Sequence, residues 1–337
     1  MTLKDIAQKA SVSSATVSLV VNNKKGVSMK KRAEIQKLLN EMNYSNQKRS
    51  GDPSGTLLFI KYSRTGKLIE ENEGFISLIL DELGNECRRS GFQLLYQYCH
   101  NCLEESLKGI NFTTVDGVFL LGTELLPDDY AFVNLIPKPF VVIDNSLPGF
   151  NCNCITMDNE EMIRQSFNFM YSKNPDMEIG YLQGKVFARN FEERLYSLKV
   201  AAQKVSMTID EKNIIMMDPT VHGSYKDMLS YLKDGNSLPK VLFADNDTIA
   251  IGSIQAILEF GLKIPEDVEI VGFDDIVFSR NITPSLTTMR VNRRLIGNTS
   301  VKLMKEAIAN SEFSNVKVRI GGRLIERNST KKSTAIN

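Results

Sequence analysis

Hydroxyl side chains crowd the first thirty residues of this chain. Ser13, Ser14, Thr16 and Ser18, with Ala15 among them, are all small or hydroxylic, and such residues at the start of a helix come close to base edges and phosphate oxygens. Thiols and an imidazole gather further on, as Cys99-His100-x-Cys102 and Cys152-x-Cys154. They are zinc-ligand types, but neither pair has the doubled two-residue spacing of a zinc knuckle, so no metal is expected. Catalysis finds little support. The first strand-like run ends in Ser-Arg-Thr-Gly-Lys at 63–67, which has neither the G-x-G-x-x-G nor the Walker spacing, and two histidines leave a catalytic base hard to place. An α/β enzyme is the minor alternative, and no cofactor is expected.

The elements that must carry the hydroxyl cluster are legible in the apolar spacing. Leu3, Ile6, Ala7 and Ala10 form one helical run; Val17, Val20 and Val21 a second; Ala33, Ile35, Leu38, Leu39 and Met42 a third. A residue able to cap free N–H groups precedes each: Thr2, Ser13 and Ser28. Asp5 follows Thr2 at capping-box distance. Only Ser11 and Val12 separate the first two runs, which forces the sharp bend of a helix-turn-helix. Residues 1–50 hold ten Lys or Arg against three Asp or Glu, net +7, leaving 31 basic and 37 acidic groups, net −6, on residues 51–337. One end alone is thus suited to a phosphate backbone.

The order Asp5-Ile6-Ala7, Val12-Ser13, Thr16-Val17-Ser18, Asn22-Asn23, Val27-Ser28, Arg32 and Asn43-Tyr44 closely resembles the headpiece of the lactose-repressor (LacI/GalR) family of bacterial transcription regulators. The resemblance implies that Thr2, Ser13, Ser14, Ala15, Thr16, Ser18, Leu19, Asn22, Ser28 and Lys31 meet double-stranded operator DNA. Leu19 stands where the family usually has Arg; it has no donor, so a thymine methyl is the contact left to it, or the position is not read.

At 337 residues, 42% apolar and 24% charged, the chain has room for about two domains and a small module. Met1 opens onto a polar helix and no run approaches 20 apolar residues, so neither a secretory signal nor a membrane span is expected and the chain should stay in the cytoplasm. Five cysteines suit reduced thiols. The headpiece is placed at 1–44 and a linker at 45–55, where Pro53 stands at the usual place of a minor-groove Leu and argues against a hinge helix. From 56 the pattern is α/β. Strand-like runs at 56–60, 92–98, 117–122 and 140–144, then 178–184, 213–218, 240–245 and 269–275, alternate with amphipathic stretches such as Ile76 to Cys87, 189–205, 224–234 and 247–260. That predicts two lobes of mostly parallel sheet and a cleft at the strand ends.

The resemblance extends through this half, on Phe75, Val141-Val142-x-Asp144, Asn246-Asp247, Pro265-Glu266-Asp267-Val268, Val271-Gly272-Phe273-Asp274-Asp275 and Pro284 to Arg290, and implies the periplasmic-binding-protein-like fold. By analogy the chain crosses between lobes near 157–160, 285–289 and 316–320, giving lobe 1 about 56–157 and 289–316, lobe 2 about 160–285 and 320–330, and a tail at 331–337. The family's effector positions fall on Arg194 and Asp247, with Phe75 as a stacking face and Asp144, Asn190 and Asn246 as further contacts. The plainer alternatives are a surface ion pair from Arg194 to Glu192 or Glu193, and, for Asp247, a helix N-cap or first-turn position satisfying backbone N–H groups. His222 is expected in a loop, 219–224, overhanging the second lobe's edge. The expected function is a repressor, acting as a homodimer, whose operator affinity a sugar-like or other small metabolite controls; the alternative is a regulator answering to a protein corepressor.

Overall fold

Ile6 and Ala7 of α1 (Leu3–Lys9), with Ala10 just past its end, close on Val17 and Val20 of α2 (Ser14–Val21) and on Ile35 and Leu39 of α3 (Met29–Glu41). Ala33 is exposed, contrary to its place in the apolar run: it lies two residues before Ile35, about 200° away around the helix. The bend after α1 has a defined chemistry. The Val12 N–H donates to the Ala7 carbonyl (3.0 Å) and the Ser11 N–H to that of Gln8 (3.3 Å), with Ser11 at φ +52°, a Schellman ending in which serine takes the left-handed position that glycine usually holds.

This computed structural model describes residues 3–21, 26–41, 55–68 and 73–332. The chain divides into two units, Met1–Asp52 and Pro53–Asn337. Thr2, Asn22, the linker to 54 with its hinge expectation, and residues 333–337 of the tail lie outside the described residues.

The second unit begins with β1 (Gly55–Ser63), α4 (Glu73–Arg89), β2 (Phe92–His100), α5 (Leu103–Lys108), β3 (Gly117–Leu121), β4 (Phe140–Ile143) and β5 (Asn153–Met157). It continues with α6 (Asn159–Lys173), β6 (Ile179–Gly184), α7 (Arg189–Gln203), β7 (Ile214–Met217), α8 (Val221–Lys233), β8 (Val241–Ala244), α9 (Asp247–Glu259), β9 (Glu269–Asp274) and β10 (Thr287–Val291). Last come α10 (Arg293–Ala309), β11 (Lys317–Ile320) and β12 (Gly322–Ile325). One sheet runs β11-β5-β4-β3-β1-β2, all parallel; the other runs β12-β10-β9-β8-β6-β7, parallel except for β12 against β10. Side chains alternate between the faces of the first sheet. Leu57 and Phe59 join the core shared with the second sheet, and Leu58 and Ile60 join a core on the opposite face, which is why these strands read as continuous apolar runs.

The chain passes between the lobes at Asp158, at Asn292 and at Gly321. The second and third crossings correct the analogy. Residues 287–291 are a strand of the second lobe, paired with β9, and residues 317–320 a strand of the first, paired with β5. His222 also needs correction: it is exposed on the first turn of α8, which Thr220 caps, and stacks on Tyr225 with ring centroids 6.4 Å apart. Cys99, Cys152 and Cys154 belong to the core on the outer face of the first sheet, and all five thiols are free. Cys154 is held protonated by its contact with Cys152 and by burial.

Candidate functional site

In the first unit, Ser13 caps α2, its Oγ accepting from the Thr16 N–H at 3.1 Å and lying 2.9 Å from the Thr16 hydroxyl. Ser28 caps α3 through the Lys31 N–H at 3.4 Å. Lys31 is drawn along the helix to Glu34, 3.0 Å away. Ser14 and Ala15 are exposed; Thr16, Ser18 and Leu19 are half-buried. The first turn of α2 thus offers two small exposed residues, a capped N-terminus and no acidic residue, the surface a phosphate-flanked groove accepts. Leu19 leans toward the following loop, its Cδ1 3.6 Å from where a Cβ on Gly26 would stand.

In the second unit, acidic residues stand at the carboxyl ends of β4, β8 and β9, as Asp144, Asp245 and Asp274. Arg194, on α7, is 2% exposed and lies among them. Its Nε donates to Asn159 Oδ1 (3.0 Å), one terminal nitrogen to the Asp245 carbonyl (2.5 Å), and the other stands 3.9 Å from Asp274 Oδ1. The guanidinium lies 3.6 Å over the Phe273 ring. It makes no pair with Glu192 or Glu193, both of which Arg189 takes.

A small cavity between the lobes is lined by Arg194, Asp274, Asp144, Asn190, Asn246 and Phe75, with Phe191, Thr123 and Leu68 beside them. Its free space is about 20 Å³, close to that of one water. The lobes are latched around it. Asn190 donates to Asp144 Oδ1 (2.9 Å) and to its carbonyl (3.1 Å), Ser146 donates to Glu193 (3.3 Å), and Lys67 reaches Asp218 (2.5 Å). Leu68 packs on Ala188 and Phe191. From the first residue of α10, Arg293 donates to the Asp274 carbonyl (2.5 Å) and lies 5.2 Å from the Phe75 ring centre.

Five of the six residues singled out for this cleft therefore line it; Asp247 does not. It is fully buried, accepting from the Ser279 hydroxyl (2.5 Å), the Thr288 hydroxyl (2.5 Å) and the Ile276 N–H (3.0 Å). That ties α9 to the segment after β9 and to β10. The cap of α9 is Asn246, whose Oδ1 accepts from the Ile249 N–H at 2.9 Å, so Asp247 serves neither the cleft nor the free N–H groups of its own helix. The carboxylate facing Arg194 is Asp274, which spacing alone had not singled out; its signal is the one that marked Asp144, an acid at a strand's carboxyl end. Both have left-handed backbone, φ +74° at Asp144 and +114° at Asp274, a conformation that costs a non-glycine residue and recurs at functional sites. Burial raises the Asp144 carboxyl to about 6, against the pull of the Thr123 hydroxyl and Arg194. Burial likewise raises Asp245 and Asp247 to about 7. Among the described residues no cluster of three metal-ligand side chains occurs, and no helix is long and apolar enough to cross a membrane.

Two sequence profiles match the chain: that of bacterial regulatory proteins of the lacI family over residues 2–47, and that of the periplasmic binding protein-like domain over 177–330. The chain is 27% identical over 340 residues to the HTH-type transcriptional repressor PurR of Proteus mirabilis, covering 97% of this chain and 96% of that protein. With PurR of Escherichia coli O139:H28 it shares 25% over 341 residues, at the same coverage. Among solved structures, a transcriptional regulator CelR–cellobiose complex superposes with TM-score 0.72, and a lac repressor dimer bound to operator and the anti-inducer ONPF with 0.73. Each is 23% identical and covers 98% of this chain and 99% of the other; at that identity the likeness speaks to the fold.

Proposed function

We infer that this chain, a member of the LacI/GalR family of bacterial transcription regulators, represses transcription by binding operator DNA under the control of a small molecule held between its two lobes. The observation that carries the reading is the pairing of an exposed, capped helix start at Ser13–Ala15 with a cleft whose buried Arg194 and Asp274 face each other. It works in the cytoplasm as a homodimer, because one headpiece spans too few base pairs to discriminate a genomic site. It has no catalytic role, in keeping with relatives named as repressors.

The cleft also constrains the ligand. Two carboxylates, two amides and one guanidinium give it no net positive charge, and Phe75 and Phe191 supply flat apolar walls. A neutral, hydroxyl- or amide-rich molecule such as a sugar or a nucleobase suits that set. About 20 Å³ admits no such molecule, so the lobes must part for it to enter. The ligand then acts through its different affinity for two lobe arrangements, with a coupling on the order of 1–3 kcal/mol.

Selection of duplexes by the full chain from a random pool should return a near-palindromic site whose affinity falls steeply with salt. Candidate sugars and nucleobases that raise the melting temperature should also alter that affinity. No salt-sensitive preference for any duplex would overturn the assignment.

A further inference from the structure

A second cavity of about 520 Å³ lies at the lobe crossings, bounded by Arg290, Arg293, Arg294, Arg323, Glu82 and Gly321 among others. Four arginines line it against a single lining carboxylate, that of Glu82. Arg290 and Arg323 stand directly opposite each other across the antiparallel β10–β12 pair, an arrangement of like charges that costs stability unless something answers it. Asp275 answers Arg290 at 2.5 Å but is shared with Arg327, also at 2.5 Å. Arg293 gives its hydrogen bonds to the main-chain oxygens of Asp274 and Asp275, and its Nε is buried without a partner. Arg294 and Arg323 are exposed. The volume is that of a small-molecule site, and the fork of a guanidinium matches phosphate and carboxylate oxygens.

We propose that this cavity binds a small polyanion, a metabolite bearing two or more phosphoryl or carboxylate groups, at a site separate from the neutral-ligand cleft. Its walls come from both lobes: α4 and the start of α10 on one side, β10 and β12 on the other. A bound anion therefore bridges them where the chain crosses, and favours the lobe arrangement that keeps Arg294 of α10 beside Arg290 and Arg323 of the β10–β12 pair.

Isothermal titration of the full chain without DNA, using pyrophosphate, citrate and glucose at low ionic strength, tests this independently of the operator reading. Saturable binding of pyrophosphate or citrate but not glucose is expected, weakened about tenfold or more in the R294Q/R323Q double variant. Equal affinity for both anions assigns the site to polyanions generally; preference for pyrophosphate assigns it to phosphoryl groups. Gly321→Glu, where a side chain meets no atom within 4 Å, puts a negative charge at the cavity wall and should weaken binding as well if the double variant folds poorly. Anion binding that neither variant changes belongs to the basic headpiece or to no defined site, and overturns the proposal, as does the absence of any saturable heat.

Discussion

Two adjacent acid-bearing pairs, Asn246-Asp247 and Asp274-Asp275, both follow apolar strands, yet their side chains divide the work differently. Asn246 and Asp274 line the cleft, whereas Asp247 and Asp275 turn into bonded networks. Sequence shows that acids stand at strand ends; which member of a pair turns inward depends on backbone angles such as the +114° at Asp274, and spacing does not contain that. Arg194, Phe75, Asp144, Asn190 and Asn246 were legible through the family resemblance, which places positions along the chain but does not say how a side chain turns. The division has opposite consequences for substitution. Asp247→Ala strands three buried donors and should cost about 2–4 kcal/mol of stability, read from the denaturant midpoint. Asp274→Asn, nearly isosteric, should leave the midpoint within about 1 kcal/mol while abolishing the ligand-induced rise in melting temperature. An unaltered ligand response in Asp274→Asn would remove that carboxylate from the site.

Helix ends decide the behaviour of the headpiece. Ser13→Ala removes the bond to the Thr16 N–H and should destabilise α2 by about 1 kcal/mol, seen as faster amide exchange in that helix and weaker operator binding. Ser11→Gly should act in the other direction, relieving the left-handed strain at φ +52° by roughly 0.5–1 kcal/mol. The three helices were readable because apolar spacing and capping residues agreed. β5 was not: all five residues of Asn-Cys-Ile-Thr-Met are buried in the strand between β4 and β11, yet Asn153 and Thr156 interrupt the apolar run without giving a two-residue period, so neither strand pattern showed. The later crossings were displaced for a related reason. β10 and β11 are five- and four-residue strands, and the turn signals beside them, Pro284 and Gly321-Gly322, mark where a strand begins or ends but not which sheet takes it.

Taken whole, the lobed unit stores acidity at its centre. The Asp144, Asp245 and Asp247 carboxyls titrate near 4 when unfolded but hold their protons to about 6, 7 and 7 when folded. Their protons stabilise the folded chain fully below about pH 4, and that contribution is lost as the pH climbs through 6 and 7. Calorimetry should therefore find a higher melting temperature at about pH 6 than at about pH 8, and Asp247→Asn should flatten the difference. The latches from Asn190, Glu193 and Asp218 to the first lobe have a kinetic corollary. A molecule too large for the space between the lobes waits on a door that opens by itself, so in rapid mixing the observed uptake rate should climb with concentration and then level off. The plateau would be the frequency with which the two halves swing apart.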